Sequence, residues 1–273
     1  MRSGARLLGL VAPDPTHATG WCAMRFTDKV LVATGGASGI ARATAERFTA
    51  EGGRVALIDL DPARAAAVAA EIPGAVGIGA DVSDEEAVQR AIDTAVAQLG
   101  GIDCVLNAGG HTDFGLVTEY SLERWNRMMA VHVGGPFLVC KHAIGHLQER
   151  DGGSIVNVAS VAALLAQRTN VAYGAAKAAV LGFTTQLSLE VAPRIRVNAV
   201  SPGRTETGMT MPIMLTRGEG NAVAGGAVFG QANMQKRTAK ADELAAAIVF
   251  LLSDDASFIT GTNLVVDGGE VAH

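Results

Sequence analysis

Lys29-Val30-Leu31-Val32-Ala33-Thr34-Gly35-Gly36-Ala37-Ser38-Gly39-Ile40 decides the fold. A short apolar run ends in a cluster of glycines, and a helix-forming stretch from about residue 40 to 50 follows at once. An apolar run without polar alternation reads as a strand covered on both faces. The glycines let the backbone turn sharply and approach a ligand closely. The helix N-terminus then offers unpaired N–H groups and a positive dipole to a pyrophosphate.

Working outward, the alternation repeats. Residues 54–58 form a second strand, and Pro62 opens an alanine-rich helix. Residues 75–79 form a weaker third strand. Ser83 is placed to cap the next helix, with Glu86 completing a capping box. Residues 103–106 form a fourth strand, and one long helix over 122–148 leads to the strand 154–158. A helix over 171–190, a strand over 195–200, a helix over 241–252 and a strand over 263–266 complete the pattern. Strands that alternate with helices, with no internal repeat and no linker, predict one Rossmann-type doubly wound parallel α/β sheet of about seven strands, with helices on both faces.

The domain is expected to span residues 25–273. Residues 1–24 read as a flexible extension: Arg2 and Arg6 precede a short apolar stretch, but Pro13, Asp14 and Pro15 interrupt it too soon for a secretion signal. The chain is 49% hydrophobic but only 4% aromatic, so small aliphatic side chains must build the core. A net charge of −5 without a basic stripe argues against a nucleic-acid partner. No apolar run has the length of a membrane span. Cys22, Cys104 and Cys140 lack metal or redox spacing and read as reduced thiols, which points to the cytoplasm.

Asp59 closes the second strand, twenty residues beyond Gly39. A carboxylate there accepts hydrogen bonds from ribose hydroxyls and repels a 2′-phosphate, which favours NAD(H) over NADP(H). The alternative is that Asp59 only ends the strand and caps the following turn. Tyr173 and Lys177 are four residues apart and share a helix face. A phenol near pKa ~10 is a poor base, but an ammonium beside it and a nearby helix start lower that value. Asn170 is the expected N-cap. Ser160 ends the fifth strand, at the carboxyl edge where open α/β sheets bind ligands, so its hydroxyl can hold a substrate oxygen while Tyr173 exchanges a proton with it.

In this order the motifs resemble the short-chain dehydrogenase/reductase family over residues 26–269. Thr34-Gly35-Gly36-Ala37-Ser38-Gly39-Ile40 is similar to its TGxxxGxG turn, and Leu106-Asn107-Ala108-Gly109 to its NNAG element. Asp81-Val82 is similar to the pair after the third strand whose carboxylate meets the adenine amino group. Ser160, Tyr173 and Lys177 match the catalytic set, with the family's serine-to-tyrosine interval of thirteen. Ser201-Pro202-Gly203 followed by Thr207 resembles the segment that embraces the nicotinamide, and Val266-Asp267-Gly268-Gly269 the C-terminal signature.

The resemblance implies cofactor contacts from Gly35, Ala37, Ser38, Gly39 and Ile40 in the first turn. It implies further contacts from Asp59 and Leu60, Asp81 and Val82, Asn107, Ala108 and Gly109, and Pro202, Gly203, Thr205 and Thr207. Tyr173 would be the acid–base, Lys177 would lower its pKa and bind the nicotinamide ribose, and Ser160 would orient the substrate oxygen. The implied activity is that of an NAD-dependent alcohol dehydrogenase or carbonyl reductase acting on an apolar secondary alcohol or ketone. A dehydrogenase of cyclic diols or hydroxysteroids is an alternative, and an NAD-binding regulator without turnover is another. No metal and no membrane contact are expected.

Three positions depart from the family pattern: Ala41 for the last glycine of the turn, Leu106 for the first asparagine of NNAG, and His132 for an asparagine that holds a relay water. His132 either takes over the proton relay and adds pH sensitivity, or fills a helix kink as a neutral side chain. The His142/His146 pair reads as surface or interface, and His111 as a loop residue within reach of the substrate. Residues 208–236 occupy the substrate-loop position. Met209, Met211 and Met214 there suit either a lid over an apolar substrate or a surface loop, and Arg204 and Arg217 are candidate partners for a substrate carboxylate. The long helix carrying Trp125, Phe137 and Cys140 is apolar on more than one face. In the resembled family this helix pairs across subunits, which implies a homotetramer or homodimer.

Overall fold

The structure, a computed structural model, describes residues 24–150, 152–208 and 233–272. β1 (Val30–Thr34) is an interior strand of a seven-stranded sheet, and its burial explains why its sequence is apolar up to Thr34. Successive side chains of a strand point to opposite faces. Leu31 and Ala33 enter one core cluster, and Val30 and Val32 enter the other.

The remaining strands are β2 (Arg54–Asp59), β3 (Ala75–Gly79), β4 (Cys104–Asn107), β5 (Gly153–Val158), β6 (Ile195–Pro202), a short pair β7 (Thr205–Glu206) and β8 (Ala239–Lys240), and β9 (Asn263–Val266). The main sheet runs β3-β2-β1-β4-β5-β6-β9, with every pair parallel. Order reverses beside β1, and the crevice at the carboxyl ends of β1 and β4 is where such a sheet takes a ligand.

Among the described residues the α-helices are α1 (Gly39–Ala50), α2 (Pro62–Glu71), α3 (Glu85–Leu99), α4 (Leu122–Met129), α5 (Gly135–Gln148), α6 (Val171–Glu190) and α7 (Ala241–Leu252). Phe48 of α1 and Leu244 and Ile248 of α7 pack on one face of the sheet. Val88 and Ile92 of α3 and Val139 and Leu147 of α5 pack on the other.

The structure corrects the sequence reading in four places. The long helix is interrupted between α4 and α5 by a π-helical turn, Ala130–Gly134, closed by the Gly135 N–H donating back to the Ala130 carbonyl. Asp84, not Ser83, caps α3 by accepting from the Ala87 N–H at 2.9 Å, because Ser83 is drawn to Asp81. Asn170 occupies the N-cap position of α6 but makes no capping bond there; its amide donates to Gln167 Oε1 at 2.9 Å. β7 and β8, absent from the sequence reading, pair in parallel and join residues 205–206 to residues 239–240.

The expected extension apart from Met24 lies outside the described residues, as do residues 209–232 of the expected substrate loop, with Met209, Met211, Met214 and Arg217. Cys104 and Cys140 are buried and unbridged. No helix among the described residues is long and apolar enough to cross a membrane.

Candidate active site

The carboxyl edge of the sheet opens into a cavity of about 630 Å³. One wall is the turn after β1. Gly35 has φ +66°, and a Cβ there would come within 3.0 Å of the Gly109 Cα, so the two turns meet through a contact that only glycine permits. Thr34 holds them together: its Oγ1 accepts from the N–H groups of Ala108 and Gly109, both at 3.1 Å. Gly39 also has positive φ, +55°, and a Cβ there would press on the Thr207 methyl at 3.2 Å. Gly36 is required for a different reason: a Cβ would sit 2.8 Å from that of Leu57 on β2.

The residues present fit a dinucleotide. Ser38 starts α1 without a side-chain capping bond, whereas Asp61 and Asp84 cap α2 and α3 with their carboxylates. The first turn of α1 therefore keeps N–H groups and the positive end of its dipole for an anion, beside a cradle that added side chains would fill. Asp59 and Asp81 line the same cavity with Leu60 and Val82, Pro202, Thr205 and Thr207. Asp59 Oδ2 accepts from the Ala37 N–H at 3.1 Å, and Oδ1 from the Asp61 N–H at 3.2 Å, so this carboxylate also braces the turn between β2 and α2.

Three expected contact residues do not line the cavity. Ala37 is buried beneath the turn. Asn107 points into the sheet, where its amide donates to Asn157 Oδ1 at 2.8 Å. Gly203 packs against Asp267, and a Cβ there would lie 2.7 Å from the Asp267 Cα. Conversely, Arg64, Gly110 and Arg127 line the cavity without having been singled out. No local pattern marks them, since each enters the cavity only through the folding of its loop or helix. Ala41, which stands for the last glycine of the turn, is buried in the core and fits against the same cavity.

The other end of the cavity holds Ser160, Tyr173, Lys177 and His132. Ser160 lies two residues beyond β5 and starts a short 3-10 turn, its Oγ accepting from the Ala162 N–H at 3.1 Å. Tyr173 lies in the first turn of α6, packed on Met128, Ala172 and Ala176. Burial pushes its phenol above the ordinary value, and a hydrogen bond with Ser160 opposes this without reversing it.

Lys177 lies 5.6 Å from the Tyr173 ring centre and donates to the Val158 carbonyl at 2.7 Å. Burial lowers the Lys177 ammonium to about 8. The expected net lowering of Tyr173 by Lys177 is therefore not present in this state, because desolvation dominates both groups.

His132 sits in the π-helical turn, 1% exposed, with its ring edge-on to Tyr173 at 5.3 Å. Its Nε2 is 2.8 Å from the His111 carbonyl oxygen and 3.1 Å from the His111 N–H nitrogen, while Nδ1 has no partner among the described residues. Burial, then the charge of Lys177, hold its pKa down to about 2. A ring held neutral by its burial supports the reading of His132 as a neutral side chain in the helix kink over that of a titrating relay group.

His111 lines the cavity as expected. His142 and His146 lie near Glu85 and Glu149 instead of each other's ligand field, at 3.4 and 3.7 Å.

The family model described as enoyl-(acyl carrier protein) reductase matches residues 35–270. Among curated relatives, 2-(S)-hydroxypropyl-CoM dehydrogenase 3 of Xanthobacter autotrophicus is 38% identical, covering 91% of this chain and 98% of its own. Meso-2,3-butanediol dehydrogenase of Serratia marcescens is also 38% identical, covering 91% and 97%. The crystal structure of a short-chain type dehydrogenase/reductase from Mycobacterium marinum superimposes with a TM-score of 0.85 at 27% identity, over 93% of this chain and 99% of that one. The chain belongs to the short-chain dehydrogenase/reductase family and is an oxidoreductase of that family.

Proposed function

We propose that the protein is an NAD-dependent dehydrogenase or carbonyl reductase that interconverts an apolar secondary alcohol and its ketone. The observation that carries this is the meeting of Ser160, Tyr173 and Lys177 in one cavity with the uncapped start of α1. A bound nicotinamide supplies the hydride acceptor or donor. Ser160 holds the substrate oxygen, and Tyr173 takes the hydroxyl proton during oxidation or returns it during reduction. Lys177 keeps a positive charge beside Tyr173, which favours the phenolate that oxidation needs. A serine and a tyrosine facing the same space suit proton transfer at oxygen, which supports carbonyl chemistry over the reduction of a carbon–carbon double bond.

Asp59 supports NAD over NADP, with the Asp61 carboxylate adding to the negative charge at that end of the cavity. We assign His132 a positioning role: a neutral ring wedged between His111 and Tyr173 fixes the tyrosine edge and the loop after β4. The two subunit-pairing arrangements expected from the family, tetramer and dimer, remain part of the proposal.

The test is NAD+ reduction followed with a panel of secondary alcohols, with NADP+ in parallel. Turnover with NAD+ is expected to rise with pH from neutrality to about 8, because burial keeps Tyr173 protonated near neutrality and oxidation needs it deprotonated, and to rise less steeply beyond, where Lys177 loses the charge that favours the phenolate. Tyr173→Phe is expected to lose about 10³-fold in kcat while still binding NADH. Preference for NADP+ would overturn the Asp59 argument. A Tyr173→Phe enzyme of undiminished kcat would overturn the assignment of the acid–base.

A further inference from the structure

Arg127 lies in the last turn of α4 and lines the cavity, although no motif marks it. Its guanidinium reaches across to the turn after β3. One terminal nitrogen donates to Asp81 Oδ2 at 3.0 Å, and the other to Ser83 Oγ at 2.8 Å. Ser83 in turn gives its hydroxyl hydrogen to Asp81 Oδ1 at 2.7 Å and its backbone N–H to the same oxygen at 2.9 Å. The three side chains close a ring of hydrogen bonds.

The ring has a directional consequence. Oδ1 of Asp81 receives two donors and has no lone pair to spare. Oδ2 receives one from Arg127 and keeps one lone pair, on a residue that lines the cavity. Rotation of the carboxylate would break charge-assisted bonds on both sides, so the remaining acceptor is fixed in place. Burial pushes the Asp81 carboxyl up, but the bonds from Ser83 and Arg127 outweigh it and hold the group below its ordinary value, so it stays an acceptor.

We propose that Arg127 is a positioning residue for the dinucleotide, fixing Asp81 as an acceptor for the adenine amino group and so setting cofactor affinity. This rests on the cofactor reading above. It adds a residue from α4, forty-six positions from Asp81, to the cofactor contacts.

The test measures Kd for NAD+ and for ADP-ribose, a probe without the nicotinamide ring, by calorimetry. An exposed ion pair adds little to stability, so Arg127→Met is expected to fold. Its Kd for both ligands should rise about tenfold, the equivalent of one charge-assisted hydrogen bond, with the larger kinetic effect in KM for NAD+ and the smaller in kcat. Arg127→Lys should recover most of the affinity. In an Asp81→Asn background, Arg127→Met should add little. An unchanged Kd, or a full additional loss on top of Asp81→Asn, overturns the proposal. A wild-type protein that binds ADP-ribose but turns over no alcohol defeats the dehydrogenase reading alone, since the Kd comparison still stands. A wild-type protein that binds neither ligand overturns both.

Discussion

The two edges of the main sheet carry similar side chains and use them in opposite ways. At the amino edge a cavity of about 190 Å³ is lined by Arg25, Lys29, Asp103, Arg194 and Arg196. Their polar groups are already engaged. Arg25 binds Glu51 and Asp255, and Asp103 accepts from the Val30 N–H with Lys29 and Arg150 alongside. Arg196 gives its guanidinium to the carbonyls of Leu251, Leu252, Ser253 and Ile259.

At the carboxyl edge, Lys177 donates to the Val158 carbonyl with three hydrogens to give, His132 Nδ1 has no partner among the described residues, and α1 begins without a side-chain cap. The difference follows from the direction of the parallel strands. Helices return to the amino edge with their unsatisfied carbonyls, which draw arginine, and leave the carboxyl edge with unsatisfied N–H groups, which draw an anion. Charge at one edge fastens the fold, and polar capacity at the other is left for a ligand.

The comparison breaks first at Arg196. Arg196→Ala would take the guanidinium from the carbonyls of Leu252 and Ser253 and leave that of Leu251 to the Ser154 hydroxyl, and is expected to cost about 3 kcal/mol of stability by denaturant titration. Turnover per folded molecule should be retained. A loss of kcat without loss of stability would show that the amino edge also serves catalysis.

A smaller effect is expected at Gly110, where a Cβ would lie 2.4 Å from His132 Cε1. Gly110→Ala should cost about 2 kcal/mol through overpacking, and His132→Ala should remove most of that cost by opening the space. Independent effects in the double variant would mean that the two residues do not share this contact.

The smallest expected effect sharpens the catalytic side. His132→Asn should lower kcat by about tenfold or less, below the range of roughly 10²–10⁴ for a lost acid–base group. The shape of the pH–rate profile should be unchanged from about pH 6 to 9, because the wild-type ring is neutral across that span. A limb present in the wild type and missing in His132→Asn would restore the titrating role.

The sequence by itself determined the architecture. Continuous apolar strands, each followed by a helix, admit little but a covered parallel sheet, and the glycine turn after β1 marks its ligand edge. The interval between Ser160 and Tyr173 and the four-residue step to Lys177 carried the proposed catalytic set, because both are local facts of one strand end and one helix face. Only the tertiary structure decided which neighbours face the cavity. It turned Asn107 into the sheet, Ala37 under the turn and Gly203 onto Asp267, and it brought Arg127 in from α4. It also set the charges: desolvation raises Tyr173, lowers Lys177 to about 8 and keeps His132 neutral. Periodicity reports on near neighbours in the chain, whereas burial and the pairing of Asp81 with Arg127 depend on segments that meet only when the chain has folded.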